Sequence, residues 1–135
     1  AFSDEVLWII NRVNHPYVGG CVDTNNSLMV GEDPLTAIRK LAPVSFTNHF
    51  SDHRIVFDQY GCRIVGVATG TGDVPMREAY EAIRANPDMK RLNIEVEFDP
   101  AGDDCEEARR REYQAVVDSI RFTREELGVG RGKNG

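Results

Sequence analysis

The most constraining feature of this chain is a repeated change of hydrophobic period, from helical to strand-like and back. Phe2, Val6, Ile9, Ile10 and Val13 recur at helical spacing, giving a first helix over roughly Ser3 to Asn14. The pair His15-Pro16 ends it, because the residue before proline is pushed out of the α region. A short apolar strand, Val18 to Val22, closes on Asp23 and a polar loop, Thr24 to Ser27. Asp33-Pro34 has the form of an N-cap with proline at the first helical position, and Leu35, Ile38 and Leu41 form the buried stripe of the helix that Pro43 stops. A second strand covers Val44 to about Phe50. A polar stretch, Ser51 to Tyr60, and an extra strand at Arg63 to Ala68 follow. The turn Thr69 to Asp73, with Asp73 as N-cap, leads to a helix carrying Met76, Ala79, Tyr80 and Ile83. Asn86-Pro87-Asp88 breaks that helix, and a further strand spans Leu92 to Phe98. The final helix runs roughly from Asp103 to Leu127, with Tyr113, Val116, Val117 and Ile120 on one face, before a flexible glycine-rich tail, 128–135.

Helix–strand alternation of this kind implies an α/β fold built from parallel (β/α) units. With 135 residues, 41% hydrophobic and 28% charged, one globular domain over 1–127 is expected rather than disorder. Three firm strands cannot close a barrel, and an open three-stranded sheet leaves two edges exposed.

The strand faces carry the chemistry. Successive residues of a strand point to opposite sides, so Gly19, Cys21 and Asp23 share one face, as do Ser45, Thr47 and His49, and Asn93, Glu95 and Glu97. Val22, Phe46, Phe50, Ile94 and Val96 fall on the other. Asp23, His49 and Glu95 stand at or near the carboxyl ends of their strands, where parallel α/β folds place their sites. Buried carboxylates need a partner or a cation. Two carboxylates and an imidazole suit manganese, cobalt, magnesium or zinc.

The segments Cys21-Val22-Asp23-Thr24-Asn25-Asn26-Ser27, His49-Phe50-Ser51-Asp52-His53-Arg54, Gly70-Thr71-Gly72-Asp73-Val74-Pro75 and Ile94-Glu95-Val96-Glu97 follow one another in this order. Together they resemble the C-terminal part of the xylose isomerase-like TIM barrels, a superfamily that includes sugar phosphate isomerases and epimerases. The resemblance covers about residues 5 to 120. It implies that the three strands are the sixth to eighth of a (β/α)8 barrel, that Asp23, His49 and Glu95 each supply a metal ligand, and that Glu95 is also an acid/base carboxylate. The family's fourth ligand, a glutamate on an earlier strand, would precede Ala1, so the chain is expected to be part of a barrel and inactive alone. Asp52 and Arg54 match an H-x-x-D-x-R pattern of inosose dehydratase-like members, which implies contacts to substrate. Asn26 is a further substrate-binding candidate, at a position where tagatose-type epimerases often carry histidine.

These readings lead to a metal-dependent isomerase or epimerase of a sugar or sugar phosphate, acting by proton transfer through an enediolate. The alternatives are an inosose dehydratase-like lyase on the same barrel, and a non-catalytic half-barrel that assembles through its edges. A net charge of −6, from 16 basic and 22 acidic residues, argues against nucleic acid as a partner. The expected partners are a small sugar or polyol and, through the open sheet edges or as a homo-oligomer, other protein chains. No apolar run is long enough to span a membrane. The odd number of cysteines, Cys21, Cys62 and Cys105, without a CxxC, fits a reducing, cytoplasmic setting. His53 reads as an exposed loop residue, and the methionines and aromatics read as core.

Overall fold

The computed structural model describes residues 1–97, 102 and 104–130. Its elements run α1 (Ser3–Val13), β1 (Gly20–Asp23), α2 (Pro34–Leu41), β2 (Ser45–His49), β3 (Asp52–Asp58), β4 (Gly61–Val67), α3 (Met76–Arg84) and α4 (Cys105–Glu125). The chain is a mixed α/β fold in which β1 and β2 lie parallel, joined through α2. Asn14, in the left-handed region at φ 44°, ends α1 one residue before His15-Pro16. Asp33 caps α2 as its sequence suggests, accepting the Thr36 N–H at 2.8 Å, and the Thr36 side chain, with that N–H second, holds its carboxyl below the usual range.

The helix-side face of the sheet builds the core. Val22, Ile38, Ala42, Phe50, Met76, Ala79 and Ile83 pack together, with Tyr80 and Phe122 against them. One strand departs from simple alternation. Gly20 pairs with Ser45 but Cys21 pairs with Thr47, so Phe46 is an extra residue in the ladder. A bulge of this kind shifts the pleat by one. Ser45 is therefore buried among the helices, bonded to the Leu41 carbonyl, and Phe46 is turned outward to 56% exposure. From Thr47 onward the alternation is the expected one.

Among the described residues, the segment expected as a strand from Leu92 to Phe98 pairs by a single parallel bridge, Ile94 to Phe50, just past the end of β2. Phe98 lies outside the described residues. The physical reason for the short pairing is Asn48, fully buried in β2. Its side-chain amide donates to the Arg91 carbonyl at 2.7 Å and accepts the Asn93 N–H at 3.0 Å, positions that main chain would occupy in a regular ladder. Main-chain bonds then take over, with Phe50 N–H to Asn93 and Glu95 N–H to Phe50.

Residues Ser51 to Ala68, read as a polar stretch plus one strand, instead form an antiparallel hairpin, β3 with β4, in register from Asp52–Val67 to Asp58–Gly61. The methionine and aromatic expectation is also corrected. Trp8, Tyr17, Met29, Phe57, Tyr60 and Tyr113 are exposed, because they lie on outward helix faces, in loops and at the hairpin tip. On α4 the Tyr113, Val116 and Ile120 stripe faces outward, and the buried side chains are Ser119 and Thr123. Ser119 Oγ accepts the Thr69 N–H at 2.9 Å, which ties α4 to the loop after β4. At the tail, the Val129 N–H donates to the Thr123 carbonyl at 3.0 Å, and residues 131–135 lie outside the described residues. None of the described helices is long and apolar enough to cross a membrane.

Candidate metal centre

The parallel arrangement brings the ends of three segments side by side, on the face away from the core. Asp23 ends β1, His49 ends β2, and their Cα positions are register partners. Glu95 follows Ile94, the residue bridged to Phe50. Ligand atoms of Asp23, His49 and Glu95 all lie within 4.8 Å of one another. His49 Nδ1 is 3.1 Å from Glu95 Oε2 and 3.5 Å from Asp23 Oδ2. Two ligand atoms about 2.1 Å from one cation and at right angles to each other would stand about 3 Å apart, so these spacings fit a six-coordinate divalent ion. No described Lys or Arg neutralises the two carboxylates, which leaves the imidazole as their near neighbour.

The centre is fixed from beneath. Asp23 Oδ1 accepts the Asn25 N–H at 2.9 Å and the Asn26 N–H at 3.1 Å, an Asx turn that leaves Oδ2 aimed toward His49. The following residues lock the two strand ends together. Thr24 Oγ1 donates to the Ser51 carbonyl at 2.6 Å and accepts the Ser51 N–H at 2.9 Å, while the Asn25 amide bonds to Ser51 Oγ. Cys21 stands on the same face, and its thiol is pushed up first by partial burial and then by the charges of Asp23 and Glu95.

Of the remaining expected site residues, Asn26 borders the centre and Asp52 and Arg54 fall elsewhere. Asn26 is exposed and lines a cavity of about 370 Å3 with Cys21, Asp23 and Ser27. Asp52 is only 1% exposed and is spent on the loop after β4: Oδ2 accepts the Gly70 and Gly72 N–H groups, each at 2.8 Å, and Oδ1 the Val74 N–H at 3.3 Å. Burial raises its carboxyl above the ordinary range, against the lowering effect of those N–H groups. Arg54, exposed on β3, donates to the Thr71 carbonyl of the same loop. Asp73 does not cap α3; it accepts the Ile55 N–H of β3 at 2.7 Å, satisfying an edge donor.

Two site-supporting residues were not evident in the sequence. His53, expected on an exposed loop, is 1% exposed, with Nε2 at 2.8 Å from Glu97 Oε2. The polar run around it masked the hairpin that buries it. Asn48 did carry a signal, as a lone amide on a strand face otherwise made of Val44, Phe46 and Phe50.

No protein-family model matches the sequence, and no curated protein does. Among solved structures, the chain is similar to a xylose isomerase domain protein from Planctomyces limnophilus, with a TM-score of 0.69 and 23% sequence identity. The match covers 95% of this chain and 45% of that one, so the chain spans a little under half the length of its structural neighbour. At that identity the likeness shows a shared fold and nothing finer.

Proposed function

We propose that the chain is the C-terminal part of a (β/α)8 barrel, with β1, β2 and the Leu92–Glu97 segment as its sixth to eighth strands, and that it serves a metal-dependent isomerase or epimerase of a sugar or sugar phosphate. The observation that carries the proposal is the convergence of Asp23, His49 and Glu95 within 4.8 Å, from three successive segments on one sheet face.

In this reading Asp23, His49 and Glu95 would hold a manganese, cobalt, magnesium or zinc ion, which would supply Lewis-acid polarisation of a hydroxy-ketone and ease proton loss from the neighbouring carbon. Glu95 holds and moves that proton. Asp23, oriented by the Asn25 and Asn26 N–H groups, stays fixed while Glu95 does so. Asn26, lining the cavity beside Asp23, offers an amide to substrate hydroxyls. Arg54 is the cationic group proposed to meet a hydroxyl or phosphate, and Asp52 serves indirectly, by holding the loop on which Arg54 leans. A dehydratase-like lyase, which the His49-x-x-Asp52-x-Arg54 pattern favours, is the second reading; the Asp52 carboxylate is engaged with the Gly70, Gly72 and Val74 N–H groups.

The test is a calorimetric titration of manganese into the metal-stripped chain and its His49→Ala variant. Saturable one-to-one binding lost in the variant is the expected result. Equal binding by both chains, or none by either, would count against this ligand set, and none together with self-association would favour a non-catalytic assembly module. In the intact enzyme Glu95→Gln is expected to abolish turnover while leaving the fold.

A further inference from the structure

We propose that His53 is a positioning residue for Glu95, acting through Glu97; the inference rests on the metal-centre reading above. Glu95 lies on a segment that is not a laddered strand. Its last main-chain tie among the described residues is its own N–H, bonded at 3.2 Å to the carbonyl of Phe50, the residue after β2. Upstream, the amides of Asn48 and Asn93 anchor the segment. Downstream, the contact that holds it is His53 Nε2 to Glu97 Oε2 at 2.8 Å. With its proton on Nε2, the imidazole donates to this carboxylate oxygen.

The hairpin is built to bring these two residues together. A Cβ on Gly66, the register partner of His53, would lie 1.9 Å from the Glu97 carbonyl oxygen, so only glycine permits this approach of the two backbones. His53 itself has a rigid base. Its carbonyl accepts the Asp73 N–H at 2.8 Å, and its neighbour Asp52 holds the Gly70, Gly72 and Val74 N–H groups. The imidazole also shows which of its atoms is used. Among the described residues Nδ1 is buried without a partner, a cost that an apolar side chain of the same size would avoid. Packing alone therefore does not call for histidine here, whereas reaching Glu97 does. The hairpin base and β2 thus grip Glu95 from both sides and hold it against His49.

The experiment compares the full chain with His53→Phe, which keeps the volume and removes the donor, and His53→Gln, whose amide nitrogen can donate in place of Nε2. Amide hydrogen exchange at Glu95 is followed by NMR, with the buried residues of α3 as an internal reference, and manganese affinity is measured in parallel. His53→Phe is expected to speed exchange at Glu95 about tenfold, the loss of one hydrogen bond to a carboxylate, with α3 unchanged. Manganese binding should weaken about tenfold, as when an outer partner of a ligand is removed. His53→Gln should restore both. Unchanged exchange at Glu95, or a loss of protection spread equally over α3, would overturn the proposal. If the wild-type chain binds no manganese yet His53→Phe loosens Glu95 selectively, the positioning role stands and the metal reading falls.

Discussion

Replacing Asp52 by asparagine sets two physical effects against each other. The wild-type carboxylate is 1% exposed and accepts three main-chain N–H groups. Removing its charge relieves the burial that raises its carboxyl above the ordinary range. An amide, however, has one acceptor atom where the carboxylate has two. Its better orientation places the oxygen on Gly70 and Gly72 and turns the NH2 group toward the Val74 N–H, donor against donor. A buried donor left unpaired costs about 1–3 kcal/mol, and the two retained bonds each lose roughly 1 kcal/mol of charge assistance. With the relieved burial set against this, a net destabilisation of about 1–3 kcal/mol at neutral pH is expected.

The pH dependence makes the prediction sharper. Protonated aspartic acid is neutral like asparagine, but both of its oxygens still accept when the hydroxyl hydrogen points aside. Because the folded-state pKa is raised, the stability tied to Asp52 is present in full below its unfolded value and is lost as pH rises through the folded value. Wild type should therefore gain on Asp52→Asn as the solution is acidified from somewhat above the ordinary aspartate range down to it. Urea denaturation followed by circular dichroism at several pH values measures the gap directly. A variant as stable as wild type at neutral pH, or a gap that narrows in acid, would refute the reasoning.

Gly66→Ala must push the hairpin away from Glu97, and overpacking against main chain is expected to cost about 1–3 kcal/mol, read as a lower urea midpoint. An unchanged midpoint would mean that the two backbones do not approach as closely as described. Asn48→Ala strands the Arg91 carbonyl and the Asn93 N–H, so a loss of about 1–3 kcal/mol is expected, with exchange at Glu95 faster than at β1. Uniformly faster exchange would show that Asn48 supports the core rather than this segment. Manganese at about a hundredfold excess over its dissociation constant should stabilise the chain by about 2.7 kcal/mol, and His49→Ala should remove most of that rise in the thermal midpoint.

Much of the fold was legible because its signals are local. The spacing of Val6, Ile9, Ile10 and Val13, the Asp33-Pro34 start of α2 and the breaks at His15-Pro16 and Asn86-Pro87 each act over a few residues. The candidate ligands were legible for a related reason: a period of two marks which strand residues share a face, and Asp23, His49 and Glu95 stood on the polar one. Exposure was less legible. The apolar spacing in α1 and α4 is helical in both, yet Trp8 and Tyr113 face outward, since periodicity defines a stripe and not what covers it.

By itself, then, the sequence determined the alternation of elements, the N-cap of α2 and the trio of metal-ligand candidates, all of which follow from short-range preferences and side-chain period. Tertiary structure alone decided the rest. It paired Ser51–Ala68 into a hairpin, buried His53 against Glu97, turned Asp52 onto three N–H groups and inserted the Asn48 amide between two segments. The last three join residues 18 to 45 positions apart, and a sequence encodes such contacts only through the fold that brings them together. The bulge at Phe46 has the same cause: whether a strand keeps its period depends on the partner strand it must match.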